Sequence, residues 1–562
     1  MSDNPVLTFA GMANRFPLVS VPEGKVFDAV NVMFTNTGDI LFPRYGFSLL
    51  ETGSVHSIND SEAGTLYVKD GSLMLWTLPT PVELLASVGT AKMKYTRPIG
   101  GVVYFSNGTV TGKYKKGDSV ASEWGTAVPP ATFTCTGITS GGMFAGDYRV
   151  AIAWIGTEEG GVGASIKVIV MEGGGITLSN LPTAPAYVTH FSVWVSSLNG
   201  ESLYFYNEYT IATTSVTINK FVPAVELKTQ WLFPPVPPAD APLVDHYGHI
   251  FYFEDNALCW TYVDGLGPRY GLREALSSIA FDSAGQTIVS CPNTLYVGTL
   301  NAQYKITNID GEGPPVIEQI RDCGTIKGSE VYHENGLVQY YMSKRGLIQV
   351  TPDDVKELTY DLVAIPYYTS GTATILYKNG MEYLLFAGKT GAANPLASED
   401  YVDDGQDAAW AINLSAYAAI SNGLVNTYPV SKFIGFNFLS LSGKYAGNAN
   451  GLFEITGFND NGVAISSNVV SGQMNFKSAY QKRLPDVYIK INGGKLNLRI
   501  SSDNAKRLVY PILKTAKMLT VKIDAARGAK GDLWQFELEN SNGSEAIVQN
   551  IQPRVVTIPR RV

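Results

Sequence analysis

The chain is 562 residues long, 45% hydrophobic and 11% aromatic, and carries a formal net charge of -8. That length exceeds a single core and points to roughly three or four domains, while the apolar content excludes a disordered chain. The acidic balance excludes a protein that grips nucleic acid by counterion release, which needs clustered Lys and Arg.

Glycine (56) and tyrosine (31) are abundant and Lys, Arg, Asp and Glu make up only 16%, the composition of turn-rich β structure with tyrosines on half-buried faces. Helical periodicity is confined to Leu272 to Ala280 and Asp407 to Ile420, both short enough to be loops with a helical turn. Met1 to Pro5 has neither a basic nor an apolar leader region, and no apolar run reaches about 18 residues, so the expectation is synthesis in a cytoplasm without membrane insertion. Cys135, Cys259, Cys291 and Cys323 are widely spaced in apolar surroundings and form no Cys-x-x-Cys pair. They read as buried free thiols of a reducing compartment.

In chain order, a lead made of Phe9 to Arg15 and Asp28 to Val32 comes first. A series of short apolar-aromatic strands follows, each turning tightly into a second strand. The turns are Asp70-Gly71 after Leu66 to Val68, Asn107-Gly108 after Val102 to Phe105, and Asp255-Asn256 after Ile250 to Phe253. Others are Asn301 after Leu295 to Val297, Lys344 to Gly346 after Val338 to Met342, Asn379-Gly380 after Thr374 to Tyr377, and Asn450-Gly451 after Lys444 to Gly447. Asn-Gly and Asp-Gly favour two-residue hairpins because both turn positions need positive φ. Most of these turns recur every 34 to 46 residues or so, against roughly 40 to 50 per propeller blade. Gaps of about 148 residues after Asn107 and about 71 after Asn379 call for insertions.

The fold expected is all-β: a β-propeller with an inserted fibronectin III or immunoglobulin-like β-sandwich and a C-terminal antiparallel sandwich or platform. Residues 1–130 hold the lead and first blades. Residues 131–225 form the inserted sandwich, with short strands such as Gly146 to Trp154 and Phe191 to Val195 and with Tyr148 and either Trp154 or Trp194 pointing inward. Residues 226–456 return through the stiff, proline-locked stretch Trp231 to Pro238 into the remaining blades, and 457–562 make the C-terminal sandwich.

Few residues invite chemistry. In Asp245-His246-Tyr247-Gly248-His249 the two histidines, three apart on a strand, would face opposite sides, and no third zinc ligand lies near in sequence. The turns Asn59 to Gly64 and Asn459 to Gly462 and the acidic loop from Glu399 to Asp407 cluster hard oxygen ligands but lack a downstream bidentate Glu, so solvated turns are favoured over calcium. Asp282 to Thr287 is an incomplete sialidase box, without its leading Ser and its Trp. No nucleophile elbow, Walker loop or dinucleotide fingerprint occurs. The expectation is a non-enzyme with no cofactor and no metal.

Several segments together resemble the tail nozzle or hub proteins (tail tubular protein B-like) of short-tailed bacteriophages. Phe9-Ala10-Gly11-Met12-Ala13-Asn14-Arg15, Asp28-Ala29-Val30-Asn31-Val32 and Gly38 to Phe47 are similar to that family's "GMNN…DAxNV…G…RRPG(F/Y)" lead, with Ala13 in place of the first Asn and Phe42-Pro43 in place of the paired Arg. Further similar stretches are Gly146-Asp147-Tyr148 and Glu158-Glu159-Gly160 in the insert, Arg269 to Leu272, Leu295 to Thr299, Arg527-Gly528 to Leu538 and the final Arg560-Arg561. The resemblance implies a propeller-containing hexamer in the virion tail, below the portal and adaptor, that forms the DNA exit tube and a base for fibres or spikes. DNA would pass through transiently without specific binding. An acidic lumen would repel phosphate and let the duplex slide, so Glu399, Asp400, Asp403, Asp404 and Asp407 are the candidate channel-facing or partner-facing residues. The alternatives are a distal receptor-binding protein that holds host glycans through exposed aromatics such as Trp194 or Tyr204, and a propeller glycoside hydrolase whose distant carboxylates meet at a blade end.

Overall fold

The computed structural model describes residues 5–156, 159–227, 243–264, 267–309, 314–402, 407–416, 428–503, 505–525 and 530–558. Among them the helical segments are the 3-10 turns Leu18–Ser20 and Leu414–Ala416. All other regular structure is β-strand, as alternating apolar residues between glycine and asparagine turns dictate. The chain is all-β and combines propeller-type meanders, an inserted β-sandwich and a C-terminal sandwich. It divides into two compact units, Met1–Asp60 with Gly64–Pro81 and Gln286–Val562, and Ser61–Ala63 with Val82–Gly285.

In the first unit two antiparallel meanders follow one another, Gly285–Cys291 to Val316–Arg321 and Val331–Tyr332 to Val355–Glu357, each with its four strands in chain order. Val289, Cys291 and Tyr296 of the first pack on Tyr341, Ile348 and Val350 of the second. The Tyr341 hydroxyl donates to Gln303 Oε1 at 2.9 Å, so a buried polar pair fixes their registry. A further meander, Ser440–Ser442, Tyr445–Asn448 and Gly451–Ile455, takes its next strand from the N-terminus: Phe47–Thr52 pairs antiparallel with it, Ile455 opposite Phe47 and Gly451 opposite Thr52. A strand lent from the far end of the sequence fastens two distant parts of the chain through one ladder. The hairpin Gly64–Lys69 to Ser72–Leu75 lies alongside, where Tyr67 joins Val55, Ile58 and Leu452 in one cluster.

The remaining strands of this unit build a sandwich. One sheet has nine strands, in the order Tyr367–Lys378, Met381–Ala392, Ala408–Asn413, Val430–Phe433, Val26–Val30, Ser467–Ser471, Trp534–Asn540, Leu496–Ser502 and Ala505–Ile512. The other runs Met33–Phe34, Ile40–Phe42, Ala546–Thr557, Lys482–Gly493 and Thr515–Asp524. Phe42, Trp410, Ile489, Leu498, Phe536 and Val548 are among the residues of the core they share. Two expectations change here. The Asn379-Gly380 hairpin, expected as a blade turn, joins the first two strands of the nine-stranded sheet. The boundary expected at 456 cuts through one sheet, since Val26–Val30 joins Val430–Phe433 on one side, in parallel, to Ser467–Ser471 on the other, antiparallel. Alternation identifies a strand but carries no information about its partner.

The candidate helical stretch Leu272 to Ala280 is extended, and the described part of Asp407 to Ile420 is a strand that ends in the 3-10 turn Leu414–Ala416. Gly267–Ala280 is a strand paired with Ala257–Asp264, and Ala408–Asn413 is a strand buried on both faces, whose continuous apolar run lacks alternation for that reason. The part of the second stretch from 417 to 420 lies outside the described residues, as does the proline-rich return from 231 to 238.

The second unit contains the inserted sandwich. Thr134–Met143, Gly174–Ser179 and Val216–Ile218 form one sheet; Glu159–Val162, Gly146–Ile155, His190–Ser196 and Leu203–Thr210 form the other, with Ile166–Val170 also on Gly146–Ile155. Tyr148 and Trp154 enter the core between them, whereas Trp194 belongs to a separate cluster with Ala151, Ala153 and Leu203. The strand at 190–196 is buried on both sides, so its aromatic could not be assigned to a face by alternation. The same unit holds the meander Val244–His246, His249–Glu254, Ala257–Asp264 and Gly267–Ala280.

Candidate functional site

The N-terminal lead buries several polar side chains, Asn14, Lys25, Asn31 and Arg44 among them. Arg44 has no exposed side-chain surface. Its Nη1 and Nη2 donate to Asp460 Oδ1 and Oδ2 at 2.9 and 2.8 Å, and its Nε donates to Asn31 Oδ1 at 3.1 Å. Nη1 also reaches the Tyr45 carbonyl at 2.9 Å and Nη2 the Ile434 carbonyl at 3.3 Å, while the guanidinium lies over the Phe433 and Phe436 rings at 5.4 and 5.0 Å. Burial pushes the Arg44 group below its ordinary pKa and Asp460 opposes that shift; a forked, fully occupied guanidinium keeps its charge. Asn31 holds the other end: its Oδ1 also accepts from Ile434 N at 2.8 Å and its Nδ2 donates to the Ser466 carbonyl at 2.9 Å. The turn at Asn459 to Gly462, weighed above as a solvated cation turn, therefore commits its carboxylate to Arg44. Its partner lies more than 400 residues away in sequence, which no local pattern can report.

Gly46 makes this approach possible. A Cβ there would sit 1.9 Å from the Asn459 carbonyl oxygen, so only glycine lets Asn459–Asp460 lie parallel beside Phe47–Thr52. Asn14, fully buried, does the equivalent at 364: Nδ2 donates to the Ala364 carbonyl at 3.0 Å and Oδ1 accepts its N-H at 2.7 Å. Arg15 stacks over the Tyr360 ring at 4.1 Å. Lys25, 8% exposed, donates to the Ala10 carbonyl at 2.5 Å, and burial lowers its pKa to about 8. Asn14, Asn31, Arg44 and Gly46 of the resembling lead are thus interior fasteners.

The acidic loop lies against the same lead. Asp400 Oδ2 accepts from Leu18 N at 2.9 Å, Ser398 N donates to the Asn14 carbonyl at 2.8 Å, and Tyr401 packs edge-on to Phe27 at 5.9 Å. Asp407 Oδ1 accepts from the backbone N and the hydroxyl of Thr390. Glu399 is exposed and Asp403 and Asp404 lie outside the described residues. Two of the five carboxylates therefore cap backbone as well as carrying charge.

The histidine pair departs from expectation. Tyr247 and Gly248, both at positive φ, form the two-residue turn between His246 and His249, which become directly opposed cross-strand partners and share a face. His249 Nδ1 contacts the Thr261 carbonyl at 2.6 Å and His246 sits edge-on to Phe251. Among the described residues no three His, Cys, Asp or Glu converge as a metal site. The four cysteines are free thiols; Cys259 and Cys291 are buried, Cys135 and Cys323 half-buried, and burial pushes Cys135 up to about 12. Trp194, proposed above as an exposed glycan platform, is 5% exposed, with Nε1 donating to Ser192 Oγ at 2.9 Å. Tyr204 is half-buried.

No family model matches the chain and no curated protein matches it. Among solved structures the chain is similar to an exo-β-1,3-galactanase from Phanerochaete chrysosporium (9% identity over 84% of this chain and 97% of that one, TM-score 0.17). It is also similar to PorZ, a bacterial surface component of the type-IX secretion system of Porphyromonas gingivalis (9%, 94% and 91%, TM-score 0.17), and to a glycoside hydrolase (10%, 90% and 99%, TM-score 0.19). At such TM-scores these likenesses assign neither fold nor function.

Removing one member of the Arg44 cluster strands the other. Arg44→Ala should lower the stability of the whole chain by about 3 kcal/mol in urea unfolding, and Arg44→Lys, which keeps the charge and loses the fork, by about half that. A loss below about 1 kcal/mol for Arg44→Ala would refute the pair's structural role.

Lys25 makes a pH-dependent contribution. Its folded pKa lies near 8, below the ordinary 10.5, so the unfolded chain binds the extra proton between these values and stability rises with pH across that window. Lys25→Met removes this component. Its stability relative to the parent should be greater at pH 7 than at pH 10.5, by an amount on the order of 3 kcal/mol; equal differences at the two pH values would contradict a buried ammonium.

Proposed function

We propose that this chain is a structural subunit of the tail nozzle or hub of a short-tailed bacteriophage, part of a ring-shaped conduit for DNA ejection and a docking base for fibres or spikes, with no reactive centre. The observation that carries this is the use made of the resembling lead. Asn14, Asn31, Arg44 and Gly46 spend their polarity or their lack of a side chain on holding distant strands together. Such residues serve a scaffold.

Assembly is favoured by the outer strands of the C-terminal sandwich. Ala505–Ile512 ends the nine-stranded sheet and Thr515–Asp524 ends the five-stranded one, and the chain passes between them through Leu513 and Lys514. Val509, Leu513 and Leu519 are 52, 73 and 43% exposed there. Edge strands with uncovered apolar residues are a hazard in a solitary protein and an asset in a ring of copies. In this reading the copies number six, the neighbours are the tail adaptor and fibres or spikes, and DNA slides past acidic surface without being held.

Size-exclusion chromatography with light scattering should give six copies for the parent and a monomer for Leu513→Asp/Leu519→Asp. A parent that stays monomeric or trimeric defeats the nozzle reading, and a variant that still forms six copies moves the contact elsewhere.

Glu399 is the described acidic-loop residue with no backbone to cap. Glu399→Lys should leave particle assembly intact and slow DNA release several-fold in a single-particle ejection assay. Unchanged release kinetics would remove Glu399 from the path of the DNA.

A further inference from the structure

Beside the sheet that takes in Phe47–Thr52 is a cavity of about 480 Å³, inside the size range of small-molecule sites. Its floor is aromatic. Phe47 meets Phe438 edge-on at 5.0 Å and Phe453 at 5.3 Å, and Leu49 extends the apolar surface. Its rim is made of amides, Asn437, Asn448, Asn450 and Asn461, and no lining residue is charged. The elements explain the placement. Gly435 to Phe438 lies in the connection out of Val430–Phe433, Asn448 precedes and Asn450 sits in the tight turn into Gly451–Ile455, and Asn461, at φ 49°, follows Asn459–Asp460.

Part of the amide capacity is already used. Asn448 Oδ1 accepts from Asn450 N at 2.8 Å, Asn448 Nδ2 reaches the Asn437 carbonyl at 3.5 Å, and Asn461 Oδ1 accepts weakly from Leu49 N at 3.4 Å. These bonds hold Asn448 and Asn461 in place. The side-chain amides of Asn437 and Asn450 and the Nδ2 of Asn461 have no protein partner among the described residues, so donors and acceptors both remain for a ligand.

We propose that this cavity binds a short neutral oligosaccharide, with a pyranose ring laid on the Phe47, Phe438 and Phe453 floor and its hydroxyls bonded to Asn437, Asn450 and Asn461. A sugar ring pairs an apolar C-H face with a periphery of groups that both donate and accept, and a phenyl floor with an amide rim matches both. An anion or nucleotide would find no cation here. An apolar side chain from a protein partner would fill the floor but strip water from the amides without replacing it, a cost of about 1 to 3 kcal/mol for each buried group. Arg44 and Asp460, next in the chain to Asn461, are spent on each other, with the Arg44 guanidinium over the Phe436 ring.

The site stands independently of the nozzle assignment, because it lies within one unit of one copy. It is tested on the full-length protein with a microarray of neutral and sialylated glycans, followed by titration of the best neutral glycan with Leu methyl groups observed by NMR. Saturable binding is expected, with a shift of the Leu49 methyl signals and a loss of roughly tenfold or more in affinity for Asn437→Ala/Asn450→Ala, while the urea midpoint of that variant stays at the parent's. Absence of any neutral-glycan signal overturns the proposal. So does binding that the double variant leaves unchanged, or a preference for sialylated over neutral glycans. The oligomeric state, measured separately, decides the nozzle reading and is not moved by either result.

Discussion

The forked ion pair between Arg44 and Asp460 is the constraint on which the first unit depends. A guanidinium with no exposed surface has to find acceptors for its donors, and the fold supplies them from separate stretches of chain: Asn31, Tyr45, Ile434 and Asp460. Hydrophobic packing alone would tolerate several registers of Phe47–Thr52 against its neighbours. A planar charge that must meet one carboxylate and one amide at once tolerates very few. The pair need not raise net stability to do this, because its desolvation offsets most of its attraction. Its effect is to penalise misalignment.

That penalty matters because of how the lead is distributed. Within about 30 residues the chain enters the nine-stranded sheet at Val26–Val30, the five-stranded sheet at Met33–Phe34 and Ile40–Phe42, and the closing meander at Phe47–Thr52. Partners of these strands come from the last third of the sequence, Val548 opposite Ile40 and Val469 opposite Ala29 among them. Contacts of such long range are slow to form because loop closure precedes any gain. The N-terminal segment must remain available until the C-terminal strands exist. Polar fasteners such as Asn14 at Ala364 and Asn31 at Ser466 then give the late contacts a single answer.

What could be read in the sequence follows from what is local. The Asp70-Gly71 turn, the short apolar strands Leu66 to Val68 and Leu295 to Val297, and the inward Tyr148 of the insert were legible because each depends on neighbours within a few residues, whereas the choice between Trp154 and Trp194 was not. The nine-stranded sheet was not, since Tyr367–Lys378 and Met381–Ala392 look like any blade hairpin until their partner is known. The histidines were misjudged for a related reason: His246 and His249 face one side because Tyr247-Gly248 is itself a turn, a signal masked by the usual preference for Asn or Asp there. Asp460 looked like a solvated turn residue because Arg44 is invisible from its surroundings in sequence. The aromatic and amide cavity left a faint trace in the spacing of Phe433, Phe436 and Phe438 among asparagines, but only the return of Phe47 to that sheet makes it a floor.

The ion pair and the cavity are two faces of the same arrangement. Phe436 carries the Arg44 guanidinium at 5.0 Å from its ring centre, and it packs edge-on to Phe438 at 4.7 Å, whose ring lines the cavity. Phe47 follows Gly46, whose missing side chain admits the Asn459 backbone, and Asn461 lies two residues beyond that contact. The floor and part of the rim are therefore positioned by the groups that lock the lead, and a ligand here meets side chains whose ordering entropy was already spent in folding. A rigid scaffold that ends in loops offers such a site at little further cost. A fastening that closes the chain thereby also prepares a surface for recognition, and a scaffold can carry a binding site without any element devoted to it alone.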